Sequence, residues 1–512
     1  MILFTKRPDR NHVNNSALVS KWVCSRHPIL FELHRQDLPL ISVSAGATGI
    51  TVLKTVYDPT IVAEISAGDW VYFESNINPA TNTAGNYGVK AQVISVTNNA
   101  PNYYTILVSY QAESAITNGG FLNILSRTNY YAVSTIYLTD ALTGKVYPVL
   151  AKLKPGNDGR MRLDASDFIN GYLSKDLVTI TPINQADKRV YGKFYIGYSE
   201  RWTGYSDTET IDSAGDYYFV DAASELQSTY GQNLMEYLTH GVDVSSSVNN
   251  PKPKFLTDFN VPTYWPGYPF DLSVIMNNSE TYGITREEDQ FDGAGNSLAN
   301  TSFSLNLSDQ PAVHRMRLSG SFASGTKYIE VYLKANSIVQ QAYYKNYYHA
   351  SGYHGLVPPS SASLTPYEMT ERKKVKIGEP CGRNPVYIRW RNKKGGWDSW
   401  LFEGNQIINE DAKTEGEFLN EPDELSTANV RSVITDTKHT KRITCGATVS
   451  KEDVQGIAGI EASPAIYLLV DAGSDKWLRM KSVQRGFQYQ TKGATADITV
   501  QLEYPELYTV SN

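Results

Sequence analysis

The chain has 512 residues, 47 Lys and Arg against 53 Asp and Glu, and a formal net charge of −6. At roughly 100–200 residues per domain it is long enough for about three or four domains, and a hydrophobic content of 41% supplies several cores while excluding wholesale disorder, collagen and coiled coil. The mild acidity excludes the global electrostatic footprint of a nucleic-acid binder, so nucleic-acid contact is not expected.

Tyrosine dominates the aromatic residues, with 35 Tyr against 16 Phe and 8 Trp. Its β preference and amphipathic ring suit half-buried strand surfaces, so the composition points to a mainly β chain. Cys24, Cys381 and Cys445 lie far apart and form no C-x-x-C pair, which signals neither a disulfide framework nor a zinc knuckle. No apolar core follows the basic residues near the start, so no secretory signal is read. No apolar run is long enough for a transmembrane helix, and membrane insertion is not expected.

Residues 1–24 are polar around Asn14, Asn15 and Ser16 and read as an N-terminal arm ordered by a neighbour. A β-sandwich domain is expected over 25–215. Its first strand places Ile29, Phe31 and Leu33 on one face. A small β-barrel is expected as an insertion at about 45–125. Its strands begin at Gly68-Asp69-Trp70 and run through Tyr87 to Val96 and Tyr103 to Tyr110, with a turn at Asn98 to Asn102. The sandwich resumes at Tyr131 to Leu138 and Val146 to Leu153. A short helix is signalled by Asp164-Ala165-Ser166-Asp167, an acidic start with Phe168, Ile169 and Leu173 turned inward.

A second β domain is expected over 216–370. Ser224 to Leu238 is its helix candidate, with Leu226, Leu234 and Leu238 near helical spacing and Gly231 in the middle. A proline-containing connection, Asn250 to Pro269, precedes strands at Leu272 to Met276, Thr301 to Leu307, His314 to Leu318 and Lys327 to Leu333. A C-terminal β domain is expected over 371–512. It opens on a hairpin, Val386 to Trp390 and Trp397 to Phe402, turned at Lys393-Lys394-Gly395-Gly396 where glycine admits positive φ. Strands at Ile466 to Val470, Lys476 to Met480 and Thr491 to Tyr504 complete it. The fold class is therefore mainly β, with several β-sandwich or small-barrel domains and few short helices.

The chemistry-bearing residues form no constellation in sequence. His349 and His354 are five apart, which suits neither a helix pair nor a strand pair of metal ligands. Glu287 to Gly293 is acidic, but Phe291 stands where a calcium loop needs an oxygen ligand, so a solvated loop is expected. Paired carboxylates of a glycosidase are defined by separation in space, and sequence cannot select them. No nucleophile elbow, P-loop or dinucleotide fingerprint occurs. No catalytic residue, metal or cofactor is nominated, and the chain is not expected to be an enzyme. Tyr343, Tyr344, Tyr347, Tyr348 and Tyr353 beside His349, with Tyr387, Arg389, Trp397 and Trp400 of the hairpin, are the candidate interface residues. The competing reading is that such aromatics anchor loops to their own core, with Arg389 stacked on Trp397 or Trp400 across the hairpin.

The segment Pro385 to Gly404 resembles a recurrent element of virion proteins in tailed phages of Bacteroidota hosts. Pro28 to Leu33 is similar to their N-terminal β-domain, Gly68 to Val96 to the small barrel they carry, and Lys476 to Leu502 to the closing strands of their tail and baseplate components. The resemblance covers about half the chain in scattered pieces. It implies a structural component of a virion, assembled in the host cytoplasm: a ring-forming tail, tail-tip, baseplate or head–tail connector protein. Its partners would be copies of itself and other virion proteins. The alternatives are a glycan-binding adhesin that takes a host glycan and a polysaccharide-degrading enzyme of β architecture.

Overall fold

A computed structural model describes the chain except residues 1, 9, 13–14, 36, 44–47, 54–64, 75–88, 100–102, 112–115, 118–120, 126, 157–159, 174–184, 224–232, 240–251, 278–281, 306–310, 337–365, 380–383, 405, 420–431, 484–488, 506 and 510–512. The chain is mainly β, in several separate sheets. The α-helices among the described residues are short, Ser166–Tyr172 and Val454–Ala462.

Strand Leu30–Arg35 lies between Ile2–Lys6 and Arg160–Asp164 in one sheet of a sandwich. The facing sheet orders Val146–Leu153, Tyr131–Thr139, Tyr191–Trp202, Tyr217–Val220 and Trp22–Cys24. Alternation buries Ile29, Phe31 and Leu33 completely. The Phe31 ring meets Phe194 and Tyr217 edge-on at 6.2 and 5.3 Å. Each such side chain removed from water contributes about 1.5–3 kcal/mol. The helix Ser166–Tyr172 starts beside Asp164, whose Oδ1 accepts from the N–H of Ser166 at 2.9 Å and of Ile29 at 3.0 Å.

The two ends of the expected N-terminal arm are instead built into this sandwich, while Arg10–His12 and Asn15–Ser20 between them pair with each other as a separate two-stranded sheet. Ile2–Lys6 pairs antiparallel with Leu30–Arg35, and Ile2 and Phe4 are only 4% and 8% exposed. Trp22–Cys24 runs parallel to Tyr217–Val220. The polarity of the segment as a whole masks the alternation of Ile2 and Phe4, which is what seats the strand.

Between Leu30–Arg35 and Tyr131–Thr139 the chain forms a small barrel. Strands Leu38–Val43, Phe121–Ile124, Trp70–Glu74, Lys90–Asn99, Tyr103–Val108 and Gly49–Leu53 pair in that order, and the last returns to the first. Closure removes free edges. Val71, Phe73, Ile106, Val108 and Leu122 fill it.

The barrel meets the sandwich at a buried charge cluster. Asp37 Oδ1 accepts from Arg127 Nη1 at 2.6 Å and Arg35 Nε at 3.2 Å. Its Oδ2 accepts from Arg35 Nη2 at 2.6 Å and Ile124 N–H at 2.8 Å. Arg35 lies over Tyr130 at 4.0 Å and Arg127 over Trp202 at 4.4 Å. Burial alone would raise the Asp37 carboxyl; the two guanidinium groups outweigh it and hold it down at about 2.

The middle unit packs two sheets. One orders Ser297–Ser304, Tyr282–Phe291, Tyr328–Asn336, Lys373–Ile377 and Thr263–Tyr264; the other orders Gln185–Ala186, Ala312–Arg317, Asp271–Met276 and Leu238–Thr239. Val274, Met276, Met316, Ile329, Val331 and Leu333 form its core. Of the helix expected over 224–238, residues 224–232 lie outside the described residues. The remainder is a 3₁₀ turn, Asn233–Tyr237, and Leu238 opens a strand. The acidic segment from Glu287 is strand rather than solvated loop. Glu288 is fully buried and pairs with Arg286 at 2.9 Å, while Glu287 accepts from Thr285 and Ser302 hydroxyls at 2.7 and 2.8 Å. Those internal partners replace water, which lets an acidic run enter a sheet. Only its end, around Asp292 to Asn296, turns.

The C-terminal unit is one sheet, ordered Trp397–Phe402, Val386–Arg391, Ile466–Asp471, Lys476–Ser482, Thr495–Glu503, Ser432–Ser450 and Gln406–Leu419. The helix Val454–Ala462 covers one face with Ile457 and Ile460, against Ile388, Trp390 and Phe402.

Candidate functional site: the buried hairpin 386–402

The hairpin pairs Tyr387 with Leu401, Arg389 with Ser399 and Arg391 with Trp397, and every residue of both strands is buried. Its two faces differ. Ile388, Trp390, Trp400 and Phe402 join the apolar core of the C-terminal sheet. Tyr387, Arg389, Arg391 and Trp397 occupy the opposite face by strand alternation, and there they meet the other units.

Lone aspartates from those units receive them. Arg391 Nη1 pairs with Asp221 Oδ2 at 2.5 Å, and Asp221 Oδ1 accepts from Arg26 Nε at 2.8 Å. Trp397 Nε1 donates to Asp187 Oδ2 at 2.9 Å. The turn adds a backbone bond, with Ala223 N–H donating to Lys393 O at 2.7 Å. The Asp221 and Ala223 contacts tie the hairpin to the sandwich, while Asp187, next to strand Gln185–Ala186 and donating its N–H to Val313 O, ties Trp397 to the middle unit.

Toward the middle unit, Tyr387 donates its hydroxyl to Pro269 O or Ser399 Oγ, both at 2.7 Å. Asp271 binds Arg317 through two bonds of 2.7 and 3.1 Å, with Arg315 and Arg389 at 3.7 and 3.8 Å. Arg317 also reaches Asp475 Oδ2 at 2.8 Å, whose Oδ1 accepts from Trp477 Nε1 at 2.7 Å. The Arg389 guanidinium lies over Trp477 at 3.9 Å and Trp397 at 5.1 Å. Burial, then the neighbouring Arg315 charge, lower its pKa to about 10.

The turn of the hairpin clasps the connector before Phe259. Asn392 Oδ1 accepts from the N–H groups of Lys394 and Gly396, each at 3.0 Å, and its Nδ2 donates to Leu256 O at 2.9 Å. Gly395 takes φ +87°, as the turn requires. A Cβ at Gly396 would fall 1.9 Å from Leu256 O. Gly396→Ala is therefore expected to cost about 1–3 kcal/mol through forced separation of turn and connector, read as a lower urea midpoint.

Asp398 completes the clasp. Its Oδ1 accepts from the Thr257 hydroxyl at 2.6 Å, and its Oδ2 from Asp258 N–H at 2.9 Å and Asn392 Nδ2 at 3.0 Å. Burial first, and then the neighbouring Asp258 carboxylate, push Asp398 up to about 7. Burial also raises Asp258, against the pull of Lys394 at 3.7 Å. The two carboxyls can hold a proton near neutrality. Among the described residues, no group of three or more His, Cys, Asp or Glu is placed to hold a metal ion.

Of the candidate interface residues, Tyr387, Arg389, Trp397 and Trp400 are 2%, 4%, 6% and 7% exposed. The expectation that they form a surface for other subunits is corrected: their rings and charge are engaged within this chain. Arg389 does lie over Trp397, but Trp400 points to the other face, stacked on Phe259 at 5.6 Å and edge-on to Trp265 at 4.9 Å. Tyr343, Tyr344, Tyr347, Tyr348, Tyr353, His349 and His354 lie outside the described residues. Sequence reasoning missed Asp187, Asp221, Asp271 and Asp398. The available signal was a lone acid amid large apolar residues, as in Phe219-Val220-Asp221-Ala222 and Phe270-Asp271-Leu272. No protein-family model matches the chain, and no curated protein matches it.

Proposed function

We propose that the chain is a structural component of a phage virion, a ring-forming tail, tail-tip, baseplate or connector protein that acts through protein–protein contacts. The observation that carries this reading is the hairpin. The segment that resembles virion proteins is also the one whose buried aspartate contacts join the sandwich and the middle unit to the C-terminal sheet. A chain held together in this way presents a fixed array of surfaces, which is what repeated assembly with copies of itself and other virion proteins requires. The test is the mass of the purified protein in solution and its detection in purified particles by mass spectrometry. A closed oligomer and stoichiometric presence in particles are expected. A monomer absent from particles overturns the reading.

A second reading, a glycan-binding module, is favoured by one feature. Tyr137 and Tyr195 stack in parallel on the partly exposed outer face of the sandwich, centroids 4.6 Å apart, with the Tyr137 hydroxyl bonded to Glu209. Aromatic rings beside a carboxylate suit a sugar. A glycan array with Tyr195→Ala as control checks it, and binding unaffected by that change counts against it.

A further inference from the structure

Three long strands at free sheet edges expose large apolar residues. They are Val146–Leu153, with Val146 and Leu150 at 42% and 69%, Ser297–Ser304, with Leu298 at 41%, and Gln406–Leu419, with Ile407 and Ile408 at 56% and 54%. Among the described residues, no strand pairs with the outer edge of any of them. A free edge with apolar side chains is a template for another chain.

Charge separates the three. Residues 145–154 hold Lys145, Lys152 and Lys154 and no acid. Residues 406–419 hold Glu410, Asp411, Glu415 and Glu417 against Lys413. Residues 297–304 hold no ionisable group. On the basic edge, Val146, Pro148, Leu150 and Lys152 alternate outward along one face. On the acidic edge, all of residues 407–413 are exposed, so both faces of the strand are bare there. The strand behind it, Ser432–Ser450, is paired on its other side with Thr495–Glu503 and Leu507–Thr509, so Gln406–Leu419 is the outermost strand of a wide sheet. Like edges repel, and the neutral edge gives no electrostatic steering. The complementary pair is the basic edge with the acidic one.

We infer that a second copy of this chain seats its strand Val146–Leu153 against the free edge of strand Gln406–Leu419, joining copies head to tail. The inference rests on the proposed assembly function and names the surfaces that carry it. The two edges belong to different units, the sandwich and the C-terminal sheet, so the contact is heterologous and every copy offers both halves. Repetition closes into a ring when the rotation between copies closes. Ile407 and Ile408 point to opposite faces of their strand, so the one that shares the face of Val146 and Leu150 would make the apolar contact, with the lysines and acids beside it. Pro148 withholds one N–H from the basic edge, which disfavours an unlimited ladder.

Charge exchange tests the pairing. One variant carries Glu410→Lys and Asp411→Lys, and a second carries Lys152→Glu and Lys154→Glu. Both change exposed side chains, and because Glu410→Lys also removes the ion pair of Glu410 with Lys441 in the neighbouring strand, circular dichroism with thermal melting checks the fold. Sedimentation velocity over a concentration series is expected to show the parent associating and each variant alone weakened about tenfold or more by like-charge contact. An equimolar mixture of the two variants is expected to associate again, because each then meets an opposite edge; this also shows that both are folded. Association of the parent should weaken as salt rises. A parent that associates with no response to either exchange or to salt overturns the edge pairing and leaves the assembly reading standing. Variants that dissociate without rescue on mixing overturn the pairing too. A parent that stays monomeric at every concentration and is absent from particles overturns both.

Discussion

Asp37→Asn is expected to lower the stability of the chain by about 3–5 kcal/mol, because it leaves two buried guanidinium groups without their counter-charge. Arg35 and Arg127 converge on this carboxylate, at side-chain exposures of 9% and 3%. Neither can reach water without opening the contact between barrel and sandwich. The loss should be concentrated there. Urea unfolding of a chain with several units need not be two-state, so the expected result is an earlier first transition rather than a uniform shift. Limited proteolysis should cut within the barrel before the rest. The pH dependence follows from the same group. The folded-state value of about 2 lies below the ordinary carboxylate value of 3.8. Its contribution is therefore complete above about pH 4 and is lost as pH falls through 4 toward 2. The Asn variant should lack that portion of the acid transition. If Asp37→Asn unfolds at the parent's midpoint, the cluster is not what fixes the barrel to the sandwich.

This joint illustrates what the sequence hides. The strands that could be read from it, such as Leu30–Arg35, Tyr131–Thr139 and the hairpin, alternate because each has a face in an apolar core. The hairpin turn was legible as well, since Gly395 and Gly396 are local signals. The helix Val454–Ala462 was not, because Gly456 and Gly459 lower its propensity and only packing against the sheet carries it. The aspartates at the joints were invisible for another reason. Their partners are distant in sequence, 210 positions for Trp397 and Asp187 and 170 for Arg391 and Asp221. No local period encodes such a pair. The same distance explains the misreading of Tyr387, Arg389, Trp397 and Trp400. Large planar residues on a hairpin look like a contact surface until the chain that covers them is placed. What covers them is this chain's own sandwich and middle unit.

The clasp at Asp398 is expected to respond to pH in the opposite sense from Asp37. Its folded-state value of about 7 stands above the ordinary 3.8, with burial as the main cause and Asp258 as the second. Between those values the folded chain binds a proton that the unfolded chain releases. Stability is then greatest toward pH 4 and falls as pH rises to 7. The proton is shared with Asp258, so the titration belongs to the pair, and a loss on the order of 1–2 kcal/mol is the expected result. Asp398→Asn mimics the protonated acid. It keeps an oxygen for Asp258 N–H and Asn392 Nδ2, and it turns an N–H toward Thr257 Oγ1 where a protonated acid would place its O–H. The parent should therefore lose stability between pH 5 and pH 7.5 in urea unfolding, and the Asn variant should lose less. Asp37 does not contribute in that window, since its titration is complete well below it. Thermal melts of the two proteins at the two pH values give a double difference from which titrating groups other than the coupled pair Asp398 and Asp258 cancel. A zero double difference would mean that Asp398 stays ionised in the folded chain and that Thr257, Asn392 and the Asp258 amide alone suffice to hold it.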